Sequence, residues 1–336
     1  MTPAITIMMP VHNAAETLEQ TLDTIAEQTF SDYELLVVDD HSSDRFLEII
    51  SSRRKNDPRI RLVTNSGKGL APALNEGLKH AAAPLIARMD GDDLMHPQRL
   101  EKQFNYLQQH PDIVALGSRA ELFPQEEVTE GFREYMRRQN ELLTPEQINY
   151  DIYVEAPFVH PSVTFRTDII RQIGGYRDGM FPEDYDLWLR LYRAGHRMAK
   201  LPETLLHWRE HPQRFTRTNP RAAREAFDKL RAHYLAQDPG FLQHKNNFAI
   251  WGAGRITRRR TEHLLSQGFS PQAWIDIDPR KIGNRLKGVH VHAPEWLVET
   301  KPFVLVYVAN HGAQELIAAQ LTAMGYRKGD DFLLIG

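Results

Sequence analysis

Apolar residues in the first hundred positions alternate between short continuous runs and helical spacings, and that alternation sets the fold class. Ile5 to Met9 is an apolar run closed by Pro10, after which Leu18, Leu22, Ile25 and Ala26 recur at the spacing of a helix face. The pair of signals repeats: a strand over Tyr33 to Val38, a helix over Phe46 to Ile50, a strand over Ile60 to Thr64, and a helix over Leu70 to Ala82 that Pro84 stops. Leu85 to Met89 supplies a fourth strand, and Pro97 suits the first turn of a helix whose core face is Leu100, Phe104 and Leu107. The pattern predicts an α/β fold with a mostly parallel sheet and helices on both faces. Ligands on such sheets sit at the carboxyl ends of the strands. Those ends carry the polar residues here: His12-Asn13, Asp39-Asp40 and the Asp90 cluster.

Farther along, Gln125 to Asn149 is charged and less regular, which suggests a lid or an acceptor-binding insertion. Order returns at Phe158 to Phe165 and in a helix over Tyr185 to Ala194. Asn219 to His244, rich in Arg, Ala and Gln, reads as a helical connector, and a second α/β pattern starts near Phe248. The expected organisation is a catalytic unit over 1–218, a connector over 219–245 and a smaller unit over 246–336, with no internal repeat. Two domains suit a chain of 336 residues.

Composition narrows the functional classes. Hydrophobic residues at 41% and charged residues at 25% fit a globular protein with a real core. A net charge of -3 offers no basic field for nucleic acid. The absence of cysteine excludes disulfides, thiolate metal sites and a cysteine nucleophile, and fits a reducing compartment. Met1 to Pro10 lacks the basic and apolar regions of a signal peptide, and no apolar run approaches the ~20 residues that span a bilayer. A cytoplasmic protein is expected, with a peripheral contact at the inner face of the membrane and a homo-oligomer both left open.

Asp90-Gly91-Asp92 is a DxD element at a strand's end. Carboxylates there can hold Mg2+ or Mn2+ against a diphosphate, because hard cations take oxygen ligands and share them with phosphates. In isolation the same residues would serve as a solvated turn. Their surroundings are more specific. Met9-Pro10-Val11-His12-Asn13, Gln28-Thr29-Phe30, Glu34 through Asp44, Ile86-Ala87-Arg88-Met89-Asp90-Gly91-Asp92-Asp93 and Pro97 through Gln103 together resemble family 2 glycosyltransferases of the GT-A fold. The resemblance implies that Pro10 and His12 line a nucleotide pocket and that Asp40 contacts the base edge. Asp90 is then near ribose and metal, and Asp92 is the direct metal ligand. Gly91 stands where the family commonly has alanine. Lys68, in a glycine-flanked loop, either approaches the diphosphate or is simply exposed.

Phe181-Pro182-Glu183-Asp184-Tyr185-Asp186-Leu187-Trp188 resembles the family's second signature. By that resemblance Asp184 is the base that takes the acceptor hydroxyl's proton, and Glu183 orients substrate or base; the alternative is that both cap the helix. A positioned base contributes ~10²–10⁴-fold. No second carboxylate in a nucleophile's role is evident, so inversion rather than double displacement is expected. His160-Pro161-Ser162-Val163 with Arg166 matches a family segment leading to the acceptor side, with His160 lining the site. His207-Trp208-Arg209-Glu210-His211-Pro212 formally contains the H-x-x-E-H pattern of zinc proteases, which requires a sustained helix that Pro202 and Pro212 disfavour. The family resemblance instead makes His211 a third metal ligand, with Arg209 and Arg217 assisting the phosphates.

Near the C-terminus, Phe248 to Trp251, Gly252-Ala253-Gly254, a helix through Leu264-Leu265 and a strand from Ala273 to Ile277 carrying Asp276, with Asp278 just beyond, resemble the start of a Rossmann dinucleotide-binding unit. Thr257 occupies the third glycine position, and 246–336 is short for a complete dinucleotide domain. Phe303 to Val308 adds a strand, and Arg258, Arg259 and Arg260 are expected on a solvated helix face, with a phosphate contact or a partner patch as the alternatives. A Rossmann-like interaction or small-ligand module is the reading.

The function these features imply is an inverting, metal-dependent transfer of sugar from a nucleoside-diphosphate donor, in first instance a UDP-sugar, to a hydroxyl of a glycan or lipid-linked saccharide, in bacterial surface polysaccharide synthesis. One alternative is a bifunctional protein whose C-terminal unit binds NAD(P) for sugar oxidoreduction. Another is a non-catalytic nucleotide-binding scaffold, which has no use for a base at Asp184. A sugar-nucleotide-forming enzyme is disfavoured because Met8 to Asn13 lacks a glycine-rich, basic phosphate loop.

Overall fold

Every residue of the first two strands, β1 (Ile5–Val11) and β2 (Tyr33–Asp39), is buried, as continuous apolar runs require when helices cover both faces of a sheet. The computed structural model describes residues 2–336 except 213, 215–218, 309 and 311. It divides into two units, one of Met1–Ile148, Pro157–Gly179 and Glu183–Thr218, the other of Asn149–Ala156, Met180–Pro182 and Asn219–Gly336.

In the first unit, β1 and β2 alternate with α1 (Leu18–Ala26), α2 (Phe46–Arg54), β3 (Ile60–Thr64), α3 (Leu70–His80) and β4 (Leu85–Arg88). There follow β5 (Leu94–Met95), α4 (Arg99–Gln109), β6 (Ile113–Phe123), α5 (Glu130–Glu141), α6 (Pro145–Asp151), β7 (Thr164–Arg166), α7 (Thr167–Gln172), α8 (Glu183–Arg193) and β8 (Arg197–Arg209). The sheet runs β3-β2-β1-β4-β7-β6-β8-β5. Its first four strands are parallel, β7 is antiparallel to both neighbours, and β6 and β8 run parallel to each other.

Two features differ from the sequence expectation, and a third, the lack of a helix at the H-x-x-E-H segment, agrees with it. The 125–149 stretch is helical: α5 places Met136 in the core with Phe132 and Tyr135 packed against it. Its charge is the charge of an exposed helix face, where Arg137 pairs with Glu134 and Glu141, each at 2.7 Å. The strand β8 is 13 residues long and continues through His207, so the H-x-x-E-H segment has no helix to align its histidines and the protease reading lapses. Pro202 is accommodated where the β6–β8 register slips, Ser118 facing Leu201 and Arg119 facing Thr204, a place where no ladder N–H is needed. The helix expected from Tyr185 begins two residues earlier, which puts Glu183 and Asp184 in its first turn.

The second unit contains α9 (Arg224–Leu235), α10 (Pro239–Leu242), β9 (Phe248–Trp251), α11 (Arg255–Leu265), β10 (Ala273–Ile275), β11 (Arg285–Leu286), β12 (Val289–His292), α12 (Trp296–Thr300), β13 (Phe303–Val306), α13 (Ala313–Ala323) and β14 (Phe332–Leu334). Its sheet runs β11-β12-β10-β9-β13-β14, parallel except for the edge hairpin β11–β12. Arg260 departs from expectation. Rather than facing solvent with Arg258 and Arg259, it is buried, bonding the Tyr307 carbonyl at 3.0 Å and Asp228 at 3.1 Å. No helix among the described residues is long and apolar enough to cross a membrane.

Candidate active site

The loops after β1, β2 and β3 are tied to one another before any ligand is considered. The Asn13 side-chain oxygen accepts the Ser43 N–H at 2.8 Å, and the Asn13 N–H reaches Ser42 Oγ at 3.1 Å. His12 Nδ1 is 2.7 Å from the Asp40 carbonyl. The Asp40 carboxylate accepts Asn65 Nδ2 at 2.7 Å and the Gly69 N–H at 2.9 Å. Gly69 turns the chain into α3 at φ 96°, a conformation that favours glycine. Pro10 is buried within β1 opposite Val38, and Lys68 is exposed in the loop ahead of Gly69. Pro10, His12 and Asp40 therefore share one strand-end neighbourhood. Asn65, which no sequence pattern marked, fixes the Asp40 carboxylate there.

The next strand, β4, delivers the acidic cluster. Carboxylate oxygens of Asp90, Asp92 and Asp93 all lie within 4.8 Å of one another. Arg88 lies beneath them, buried, with Nη1 2.5 Å from Asp90 Oδ2. Burial works against the Arg88 charge, but Asp90 more than compensates and its pKa is raised. Burial, then the Asp90 charge, pushes Asp92 up, against the opposing pull of His211, whose Nε2 is 3.4 Å from Asp92 Oδ2. Burial together with Asp92 and Asp90 raises Asp93 well above the usual carboxylate range. The donor set is oxygen-rich and suits a hard divalent cation. One member, Asp93 Oδ2, is a buried oxygen with no hydrogen-bond partner among the described residues, which leaves it able to take a cation.

Arg209 braces this loop. Its N–H donates to Asp93 Oδ1 at 2.8 Å, Nε to the Asp92 carbonyl at 2.6 Å and Nη2 to Gln20 Oε1 at 2.7 Å, while the guanidinium lies 4.4 Å above the Phe123 ring. Arg217, read from the sequence as a phosphate contact, lies outside the described residues.

Opposite charge logic governs the first turn of α8. Asp184 Oδ1 accepts the Tyr185 N–H at 2.7 Å. Burial lifts its pKa to about 6, against that hydrogen bond and the Arg88 charge, with Asp90 adding to the rise. Asp184 thus lies in the field of the same Arg88 and Asp90 that form the acidic cluster, although some ninety residues separate them in sequence. Glu183 is buried beside it. The Tyr176 hydroxyl is 2.8 Å from His160 Nε2, and burial raises the tyrosine's pKa, with Arg88 opposing and Asp184 and Glu183 adding. Burial, then Arg88, depresses His160 well below the usual imidazole range, so this buried ring is neutral. Edge-on contact with Trp188 at 5.9 Å fixes its plane. Asn75 clamps the Tyr176 backbone on both sides, accepting its N–H at 2.8 Å and donating to its carbonyl at 2.7 Å. Arg190, paired with Asp186 at 2.8 Å, holds the Ile173 and Gly175 carbonyls of the same turn.

Sequence reasoning gave no role to Arg88 and Asp93, although both lie in the quoted motif, and did not mark Asn65, Asn75 or Tyr176. The available signal for Tyr176 was the Gly174-Gly175 pair before it, both at positive φ in a tight turn.

Residues 6–174 match the family model of glycosyl transferase family 2. The amylovoran biosynthesis glycosyltransferase AmsE of Erwinia amylovora is 34% identical over 192 residues, covering 57% of this chain and 70% of the relative. The O-antigen biosynthesis glycosyltransferase WbnJ of Escherichia coli is 33% identical over 214 residues, covering 62% and 80%. Among solved structures, S. aureus TarS 1–349 in complex with UDP-GlcNAc aligns with TM-score 0.55 at 18% identity, over 70% of this chain and 67% of that one. The mannosyltransferase PcManGT from Pyrobaculum calidifontis in complex with GDP-Man and Mn2+ aligns with TM-score 0.50 at 20% identity, over 80% and 69%. These two likenesses concern the fold and identify the first sheet as GT-A-like. The family model spans the strand ends that carry Asp40, Asp90 and Asp92, and two relatives share a third of the aligned residues over two thirds or more of their own length, so this chain belongs to glycosyl transferase family 2.

Proposed function

We propose that this glycosyltransferase moves a sugar from a nucleoside-diphosphate donor, in first instance a UDP-sugar, to a hydroxyl of a glycan or lipid-linked saccharide, with inversion at the anomeric carbon. The observation that carries the reading is Asp184, a carboxylate with its pKa lifted to about 6 in the field of Arg88 and Asp90. A base of that strength is ionised near neutral pH and still accepts a proton readily. Asp184 takes the acceptor hydroxyl's proton as its oxygen attacks the sugar, and Glu183 orients that pair. Pro10, His12 and Asp40 receive the nucleoside, with Lys68 reaching the diphosphate. His160 is neutral and buried, and shapes the acceptor side through Tyr176. Arg209 acts on the donor through the loop it braces.

Asp90, Asp92 and His211 would hold Mg2+ or Mn2+. A cation there supplies charge neutralisation to the departing nucleoside diphosphate. Support for the donor class comes from TarS with UDP-GlcNAc and PcManGT with GDP-Man and Mn2+. Support for a surface-polysaccharide role comes from the amylovoran and O-antigen relatives.

For the second unit a Rossmann-like reading is supported by the order β12-β10-β9-β13-β14, third-second-first-fourth-fifth along the chain. Dinucleotide oxidoreduction is not favoured. Asp276, at the ribose-reading position, already accepts N–H groups from Ala253 at 2.8 Å and Asp278 at 2.9 Å and the Lys281 ammonium at 3.0 Å. Thr257 Oγ1 stands 2.9 Å from where a Cβ on Gly252 would lie, filling the space a third glycine would leave.

The test is transfer from UDP- and GDP-sugars with Mg2+ or Mn2+, reading the product's anomeric configuration by NMR. Asp184→Asn is expected to abolish transfer while donor affinity stays within about twofold, since the base acts in the transition state. Near-normal turnover in that variant would assign the base elsewhere.

A further inference from the structure

Asp93 is the most deeply enclosed acid of the DxDD cluster, 1% exposed, and the hydrogen bonds around it use only half of its carboxylate. Oδ1 accepts the Arg209 N–H at 2.8 Å. The Asp93 carbonyl accepts Thr21 Oγ1 at 2.9 Å, so the residue is held at the backbone as well as the side chain. Oδ2 is buried without a hydrogen-bond partner among the described residues. An unpartnered buried carboxylate oxygen is costly, and each one in a native protein calls for an explanation, a bound ion among them. This oxygen belongs to the residue whose carboxylate lies within 4.8 Å of those of Asp90 and Asp92. Oxygens bound to one small divalent cation at about 2.1 Å sit roughly 3–4 Å apart, so the cluster needs only small side-chain movements to close on an ion.

We infer that Asp93 supplies a third carboxylate oxygen, Oδ2, to the divalent cation of this site. The inference rests on the cation site of the proposed function and enlarges it. Arg209 becomes a positioning residue by this account, because its N–H occupies Oδ1 and leaves Oδ2 for the ion. The competing role, a structural acceptor for the Arg209 N–H, requires no charge: an amide oxygen would accept that bond equally well.

That difference defines the experiment. Mn2+ is titrated against the full chain, alone and with UDP but without acceptor, and free Mn2+ is read by its EPR signal. Asp93→Asn keeps the volume and the acceptor for Arg209 and removes the charge. It is expected to weaken Mn2+ binding tenfold or more while the metal-free melting temperature stays near wild type. Asp92→Ala, run beside it, should also lose Mn2+. If Asp93→Asn binds as wild type while Asp92→Ala does not, Asp93 is only a structural acceptor and the inference falls alone. If both bind as wild type, the cation site itself falls and takes the inference with it. Should Asp93→Asn not fold, a crystal of the wild-type protein with Mn2+ decides: anomalous density within bonding distance of Asp93 Oδ2 supports the assignment, and an ion beyond that distance overturns it.

Discussion

At the scale of single residues, the site is a set of acids whose strengths are set by burial, by one another's charges and by the buried guanidiniums of Arg88 and Arg214. Arg88 favours the ionised form of Asp184 and pairs with Asp90, while burial and Asp90 push the Asp184 pKa the other way, to about 6. The sign for activity follows directly. Above pH 6 Asp184 is ionised and, as the proposed base, can accept the acceptor's proton; below it that group is protonated and kcat/KM is expected to fall about tenfold per pH unit. A cation beside Asp90 also favours the ionised form and moves this limb to lower pH. The expected outcome is an acid limb in kcat/KM at or somewhat below pH 6, lower at saturating Mn2+ than at limiting Mn2+. A rate constant down to pH 4 would remove Asp184 from the base role. The sign for stability is opposite in sense: a raised carboxyl pKa means the folded state binds the extra proton between about pH 4 and 6, so this group's contribution declines as pH rises through that window. Acids at strand ends were readable from the sequence because a carboxylate beside a turn is chemically conspicuous. Arg88 and Asp93 were not, because their roles depend on partners that only folding supplies.

At the scale of elements, part of what resembled a catalytic motif turns out to be architecture. Gln28 is buried between α1 and α4, where Oε1 accepts the Leu100 N–H at 3.1 Å and Nε2 donates to the His96 carbonyl at 2.8 Å. Thr29 adds a backbone bond to the Pro97 carbonyl at 2.9 Å and a hydroxyl bond to Glu101 at 2.7 Å, and Phe30 packs at a tilt against Phe104, ring centres 4.8 Å apart. Gln28-Thr29-Phe30 and Pro97 through Gln103 occur together because one docks the other. We expect Gln28→Ala, which leaves the Leu100 N–H unsatisfied and removes one of the two hydrogen bonds to the His96 carbonyl, to cost about 1–3 kcal/mol in urea unfolding. Donor KM should be unchanged; a stable variant with raised KM would put Gln28 in the site instead. The βα repeats through β4 were legible because each strand is a closed apolar run. The long strands β6 and β8 were not, since β6 carries Ser118, Arg119 and Glu121 and β8 is interrupted by Pro202 at a register slip. Helix α5 was hidden by its charge, its apolar stripe being only Phe132, Tyr135 and Met136.

At the scale of the whole molecule, the order of residues along the chain is not the order of the two units. The sequence suggested a cut between 218 and 219, with everything before it catalytic. Asn149–Ala156 belongs instead with the second unit. Within that unit the Tyr153 hydroxyl donates to Asp238 at 2.6 Å, both residues buried, and Val154 joins the core of Ala249, Trp251, Val304 and Phe332. Arg231 Nη2 binds the Val154 carbonyl at 2.8 Å, and Lys328 pairs with Asp151 at 2.6 Å. None of this was visible in hydrophobic periodicity, because an eight-residue segment contributes too few positions to display a period. Removing 219–336 would leave Tyr153 and Val154 without these partners. Burial of a valine side chain alone is worth about 1.5–3 kcal/mol, and the lost hydrogen bonds about 1 kcal/mol each, a sizeable share of a domain's net stability. We therefore expect the fragment 1–218 to express poorly, or to melt at least several degrees below the lowest transition of the full chain, as followed by circular dichroism. Restoring solubility should require polar replacements at Tyr153 and Val154 rather than changes near Asp92 or Asp184. A fragment 1–218 that melts cooperatively at the temperature of the full chain would show that Asn149–Ala156 contributes nothing to stability and that the catalytic unit is complete without its excursion.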